Sequence, residues 1–83
     1  MAKYDPLFRH LCQTDDGPLA MTFDEIDALV TTLPNSATQR VWWTNDPSRP
    51  QARAWLNAGR DVESVDPGRR QVRFSAAGWR RGA

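Results

Sequence analysis

The stretch Ser48-Arg-Pro-Gln-Ala-Arg-Ala-Trp-Leu-Asn-Ala-Gly59 constrains the chain most, because it carries a helix start, a helix stop and two unlike faces. Ser48 and Gln51 have the spacing of a capping box, in which each side chain answers a backbone N–H of the other residue. Pro50 sits early, where a missing N–H costs nothing, and Gly59 sits where a left-handed residue ends a helix. Ala52, Trp55, Leu56 and Gly59 recur at i, i+3, i+4, i+7 and predict the inward side of a helix over 49–58. Arg49, Arg53, Asn57 and Arg60 form a second stripe, about 110° from the first at roughly 100° per residue, and that places it in solvent.

A chain of 83 residues supports one small domain. The expected domain runs over 1–75, and 76–83 is read as a tail that Trp79 tacks down. So small a core leaves little margin, and the four tryptophans matter because each buries a large area. A lone Cys12 excludes an internal disulfide. No apolar run approaches the length of a membrane span, and a cytoplasmic setting without membrane partner is expected.

Charge is unevenly spread. Residues 1–33 hold Lys3 and Arg9 against Asp5, Asp15, Asp16, Asp24, Glu25 and Asp27, which gives −4. Residues 34–83 hold nine arginines against Asp46, Asp61, Glu63 and Asp66, which gives +5. A basic half of this kind suits a polyanionic partner, and arginine's planar fork matches phosphates and guanine edges.

Further elements follow from local signals. Asp5-Pro6 opens a helix, with Asp5 as N-cap and with Leu7, Phe8, Leu11 and Cys12 on its apolar face. Leu19-Ala-Met21 reads as a strand leading into a capping box at Thr22–Glu25 and a helix over 23–30. Phe23, Ile26, Leu29 and Val30 face inward there. Ser36 caps one more turn to about Arg40, and Val41-Trp-Trp-Thr44 is rich in strand formers. Residues 60–65 and 71–74 predict a hairpin about Asp66-Pro67-Gly68, with Gly68 able to take positive φ and Arg69-Arg70 at the tip.

The order helix, strand, helix, further helix, hairpin is similar to the winged helix-turn-helix fold. More narrowly, Tyr4-Asp-Pro-Leu7, Thr22-Phe-Asp-Glu-Ile26, Leu33-Pro-Asn-Ser-Ala37 and Trp42-Trp-Thr-Asn45 resemble a group of small bacterial domains. Ala54-Trp-Leu-Asn-Ala-Gly59, Val62-Glu-Ser-Val-Asp66 and Val72-Arg-Phe74 complete that pattern. The resemblance implies an α+β, winged-helix-like single domain of three to four short helices and a C-terminal hairpin; it carries no activity with it. The segment 38–47 is longer than a usual helix-turn-helix connection, and this leaves room for an extra strand.

Catalytic constellations are missing. One His, one Cys and scattered carboxylates make no metal site, and the isolated glycines make no phosphate loop. Asp24, Glu25 and Asp27 suit a helix N-terminus rather than acid–base work, and His10 reads as an exposed helix residue. The expected protein is a binder without enzyme activity or cofactor. Arg49, Arg53, Asn57 and Arg60 would approach the major groove of duplex DNA, while Arg69, Arg70 and Arg73 hold phosphates from the wing. Trp42 and Trp43 are adjacent, so one of them is a candidate surface aromatic for stacking. The alternative is a protein-interaction module, such as a phage-type inhibitor or adaptor, without nucleic acid.

Overall fold

The aromatic residues set the architecture. In the computed structural model, which describes residues 3–77, four rings stack through the core. Phe23 lies on Trp43 at 5.0 Å, Trp43 on Trp55 at 5.8 Å, and Trp55 against Phe74 at 5.7 Å between ring centroids. Each ring comes from a different part of the chain, so the column fastens those parts to one another. Buried indoles need partners for their N–H groups. Trp43 Nε1 donates to the Ala37 carbonyl at 2.9 Å, and Trp55 Nε1 to Asn45 Oδ1 at 3.1 Å.

The fold around this column is α+β. Its elements are α1 (Asp5–Gln13), β1 (Leu19–Thr22), α2 (Phe23–Val30), α3 (Pro50–Asn57), β2 (Val62–Asp66) and β3 (Gln71–Phe74). Two short 3-10 turns, Asn35–Thr38 and Arg40–Trp42, fill the connection between α2 and α3. The sheet is antiparallel with the order β1-β3-β2. Met21 and Val65 both face Val72 across the ladder, and these three with Phe74 supply the sheet's buried side. The pairing of β2 with β3 shifts register between Val62 and Ser64. α1 packs against both α2 and α3 through Leu7 and Leu11, which are wholly buried.

Several local signals act as expected. Thr22 Oγ1 accepts from the Glu25 N–H at 3.1 Å while Glu25 Oε1 accepts from the Thr22 N–H at 2.8 Å, so the capping box of α2 is complete. Gly59 takes φ 80°, and the Arg60 N–H returns to the Trp55 carbonyl at 2.9 Å while the Gly59 N–H reaches that of Leu56 at 3.0 Å. That pair of bonds is a Schellman stop for α3.

Others are corrected. The Ser48–Gln51 capping box does not form: α3 begins at Pro50, its N-cap is Arg49, and no side chain caps it. Gln51 instead donates its amide to the Trp42 carbonyl at 3.1 Å, and the Ser48 N–H is taken by Asp46 Oδ1 at 2.9 Å. Tyr4, not Asp5, is the N-cap residue of α1. Cys12 is exposed rather than part of the inward face. Residues 41–44 make no strand; the Trp42 and Trp43 N–H groups close 3-10 bonds to Gln39 and Arg40, which turns the two rings to different neighbours. The Ser36 cap is absent, since the first 3-10 turn starts from Pro34 without a side-chain bond. In the hairpin turn the left-handed residue is Arg70, at φ 55°, rather than Gly68. The Asp66 carboxylate accepts the Arg69 N–H at 3.2 Å, and the Arg70 N–H closes on the Pro67 carbonyl at 3.2 Å. Trp79 and the rest of 78–83 lie outside the described residues; the Ala77 N–H still bonds the Asp16 carbonyl at 2.7 Å, which ties the chain to the domain up to that point.

Candidate nucleic-acid interface

α3 has two sides of different character. Gln51, Ala52, Ala54 and Trp55 are buried, whereas Arg49, Arg53 and Asn57 are exposed. Of the polar stripe expected on this helix, Arg53 and Asn57 lie on α3 itself, while Arg49 is its N-cap residue with an extended backbone. Arg53 Nε donates to the Pro47 carbonyl at 2.9 Å, which folds its stem over the approach to α3 while the residue stays in solvent. Arg49 stands beside Asp46. Hydrogen bonds from the Ser48 backbone and side chain, helped by the charge of Arg49, hold the Asp46 carboxyl below its ordinary range.

Arg60, expected on the same stripe, is not there. It lies past the end of α3 and is 0% exposed. The Schellman stop reverses the chain at Gly59 and turns the Arg60 side chain inward. Its guanidinium donates to four backbone carbonyls: Nε to Leu11 at 3.4 Å, Nη1 to Gly17 at 2.9 Å and to Ser75 at 3.0 Å, and Nη2 to Asp15 at 2.6 Å. Leu11 belongs to the last turn of α1, whose carbonyls form the negative end of the helix dipole. The charge is thus solvated by main-chain dipoles from α1, the loop after it and the end of β3. No part of Arg60 can reach a nucleic acid.

The hairpin arginines are placed where the sequence puts them, but with acidic neighbours. Arg69 is the most open, with a side chain 80% exposed and Nε 3.8 Å from Asp66. Arg70 pairs with Asp24, at the start of α2, at 3.0 Å, and its guanidinium lies 5.6 Å from the centre of the Phe23 ring. Arg73 pairs with Glu63 across the hairpin at 3.1 Å. Exposed pairs of this kind contribute at most about 1 kcal/mol each, so a phosphate can compete for them, yet they reduce the positive field of the hairpin.

The tryptophan pair divides. Trp43 is buried in the aromatic column and is not a surface ring. Trp42 is half-buried, edge-on to Trp43 at 4.6 Å and to Tyr4 at 6.0 Å. Next to it Val41 is 76% exposed.

Sequence reasoning missed two features. Asn45 clamps three groups at once: Oδ1 accepts from Trp55 Nε1 and from the Val62 N–H at 2.8 Å, and Nδ2 donates to the Val62 carbonyl at 3.1 Å. It thereby joins the entry to α3 to the start of β2. The second is a groove of about 330 Å³ between the start of α1 and the exposed flank of α3. Tyr4, Phe8, Pro50 and Ala54 supply its apolar wall, and Lys3, Asp5, Arg53 and Asn57 its polar groups. Tyr4 and Phe8 stand four residues apart, a spacing that puts both on one side of α1. Burial pushes the Tyr4 phenol up from its usual pKa.

Among the described residues no group of His, Cys, Asp and Glu could hold a metal ion, and no helix is long and apolar enough to cross a membrane. No curated protein and no solved structure matches the chain. A family model does match, and it covers residues 4–77, from the N-cap of α1 to the bond that closes the chain onto Asp16. The chain therefore belongs to the family described as a domain of unknown function, DUF7662.

Proposed function

We propose that this domain is a winged-helix-like DNA-binding module, a regulator or an accessory to a DNA-processing system, working without catalysis in the cytoplasm. The observation that carries the reading is the exposed flank of α3. Arg53 and Asn57 lie on it, opposite a side closed by Trp55, and Arg49 is exposed at the start of the helix. The chain order α1-β1-α2-α3-β2-β3, with β3 central, supports it by setting α3 before a hairpin in the manner of that fold. Arg53 and Asn57 read base edges, since arginine suits guanine and asparagine suits adenine. Arg49 and Arg69 hold phosphates. Arg70 and Arg73 add less, because each first satisfies a carboxylate.

Fluorescence anisotropy on mixed-sequence duplex at ~50 mM salt tests this, since nonspecific phosphate contacts are strong there. Wild type should bind at micromolar protein. Arg53→Ala and Asn57→Ala should narrow the difference between preferred and random sites, because base contacts carry the sequence information.

A second reading has a specific observation behind it. The pairs Arg69–Asp66, Arg70–Asp24 and Arg73–Glu63 leave the hairpin nearly neutral, and the whole chain carries only +1, as suits a protein-interaction module. Absence of binding to any duplex under those conditions favours that reading.

A further inference from the structure

We propose that the groove between α1 and α3 receives an unpaired nucleobase of a DNA strand whose phosphates lie along α3; this rests on the DNA-binding reading above. The groove's volume, about 330 Å³, is at the small end of the range for ligand pockets. Its walls are unlike. On the α1 side stand two half-buried rings, Tyr4 and Phe8, and base–aromatic stacking is indifferent to sequence because every base has a π face. On the α3 side stand Arg53 and Asn57, which offer a guanidinium and an amide to base edges. Tyr4 also lies edge-on to Trp42 at 6.0 Å, so its ring is held against the aromatic cluster.

Charge at the rim suits a nearby backbone. Lys3 on the α1 side and Arg53 on the α3 side border the groove and favour phosphate at its rim. A single base entering from a backbone held on α3 reaches the rings. A continuous duplex does not, because its bases are stacked on one another and cannot reach the rings.

Two DNAs test the inference: a short mixed-sequence duplex, and the same duplex with one unpaired adenine in one strand. Full-chain protein should bind the second about tenfold more tightly. Replacing Tyr4→Ala with Phe8→Leu should abolish that preference and leave affinity for the paired duplex unchanged; the leucine keeps apolar volume in α1, and a thermal melt checks the fold. In wild type, the Tyr4 ring resonances should shift with the unpaired adenine and stay in place with the paired duplex. That measurement needs no variant. Equal affinity for the two DNAs together with unmoved Tyr4 resonances overturns the inference but leaves duplex binding standing. A preference that survives in the folded double variant overturns the groove as its seat. Failure of both DNAs to bind overturns the inference and the DNA-binding reading together.

Discussion

Arg60 Nη1 donates to the backbone carbonyl of Ser75 at 3.0 Å with both residues buried, so the residue after the Gly59 stop of α3 is fastened to the one after β3. The return contact is made as well: Ser75 Oγ accepts the Asp61 N–H at 2.9 Å, and the Ser75 N–H reaches the Asp61 carbonyl at 2.8 Å. The base of the hairpin is therefore closed by polar bonds, and through Leu11, Asp15 and Gly17 the same guanidinium joins it to the end of α1.

Arg60→Ala should destabilise the domain by at least about 3 kcal/mol in urea unfolding, because it strips several carbonyls of a charged donor at once. Arg60→Lys should also destabilise, by about 1 kcal/mol or more, since an ammonium has three donors and no planar fork to span the four oxygens. An Arg60→Ala protein as stable as wild type would contradict the account of this residue.

Trp55→Ala should cost about 3–5 kcal/mol and abolish or strongly broaden cooperative unfolding. The ring is fully buried between Trp43 and Phe74, and its loss also leaves Asn45 without the indole N–H. A mutant melting close to wild type in circular dichroism would show that the aromatic column does not carry the core.

Thr22→Ala should cost about 1 kcal/mol, the ordinary value of a lost N-cap, since Thr22 Oγ1 answers the Glu25 N–H. Denaturant midpoints of wild type and variant give the difference directly.

Asp46 should titrate below the usual aspartate range in NMR, because the folded state favours its charged form through Ser48 and Arg49. A carboxyl depressed on folding contributes stability that is present above its unfolded pKa, about 3.9, and is lost as pH falls through the folded value. Asp46→Asn should therefore lower stability at neutral pH, leave it nearly unchanged below the folded value, and so flatten the loss of stability between the two.

What the sequence made legible was local. The Thr22–Glu25 box, the helix stop at Gly59, the Phe23–Val30 helix and β3 all rest on neighbours within a few residues, where spacing and side-chain type decide the outcome. Arg60 was illegible because its partners at Leu11, Asp15 and Gly17 lie more than forty residues away. On helical periodicity alone it belongs to the exposed stripe of α3, and a Schellman turn at Gly59 takes it off that stripe. Ser48 and Gln51 matched a capping pattern, but the Trp42 carbonyl claimed the Gln51 amide. The Trp42–Trp43 pair had strand-forming chemistry, and burial of Trp43 between Phe23 and Trp55 overrode it. The site was legible in part: Arg49, Arg53, Asn57 and Arg69 are exposed as periodicity and turn chemistry require. The carboxylates beside Arg70 and Arg73 come from tertiary pairing and strand register.

The central claim is that the start of α3 and the hairpin meet DNA phosphates through Arg49 and Arg69, with smaller shares from Arg70 and Arg73, and the salt dependence of binding measures this most directly. Affinity for mixed-sequence duplex should fall with salt on a log–log slope of about −3, and Arg49→Ala with Arg69→Ala should flatten it by about two. No binding to any duplex at ~50 mM salt and micromolar protein, or a slope near zero, would contradict it.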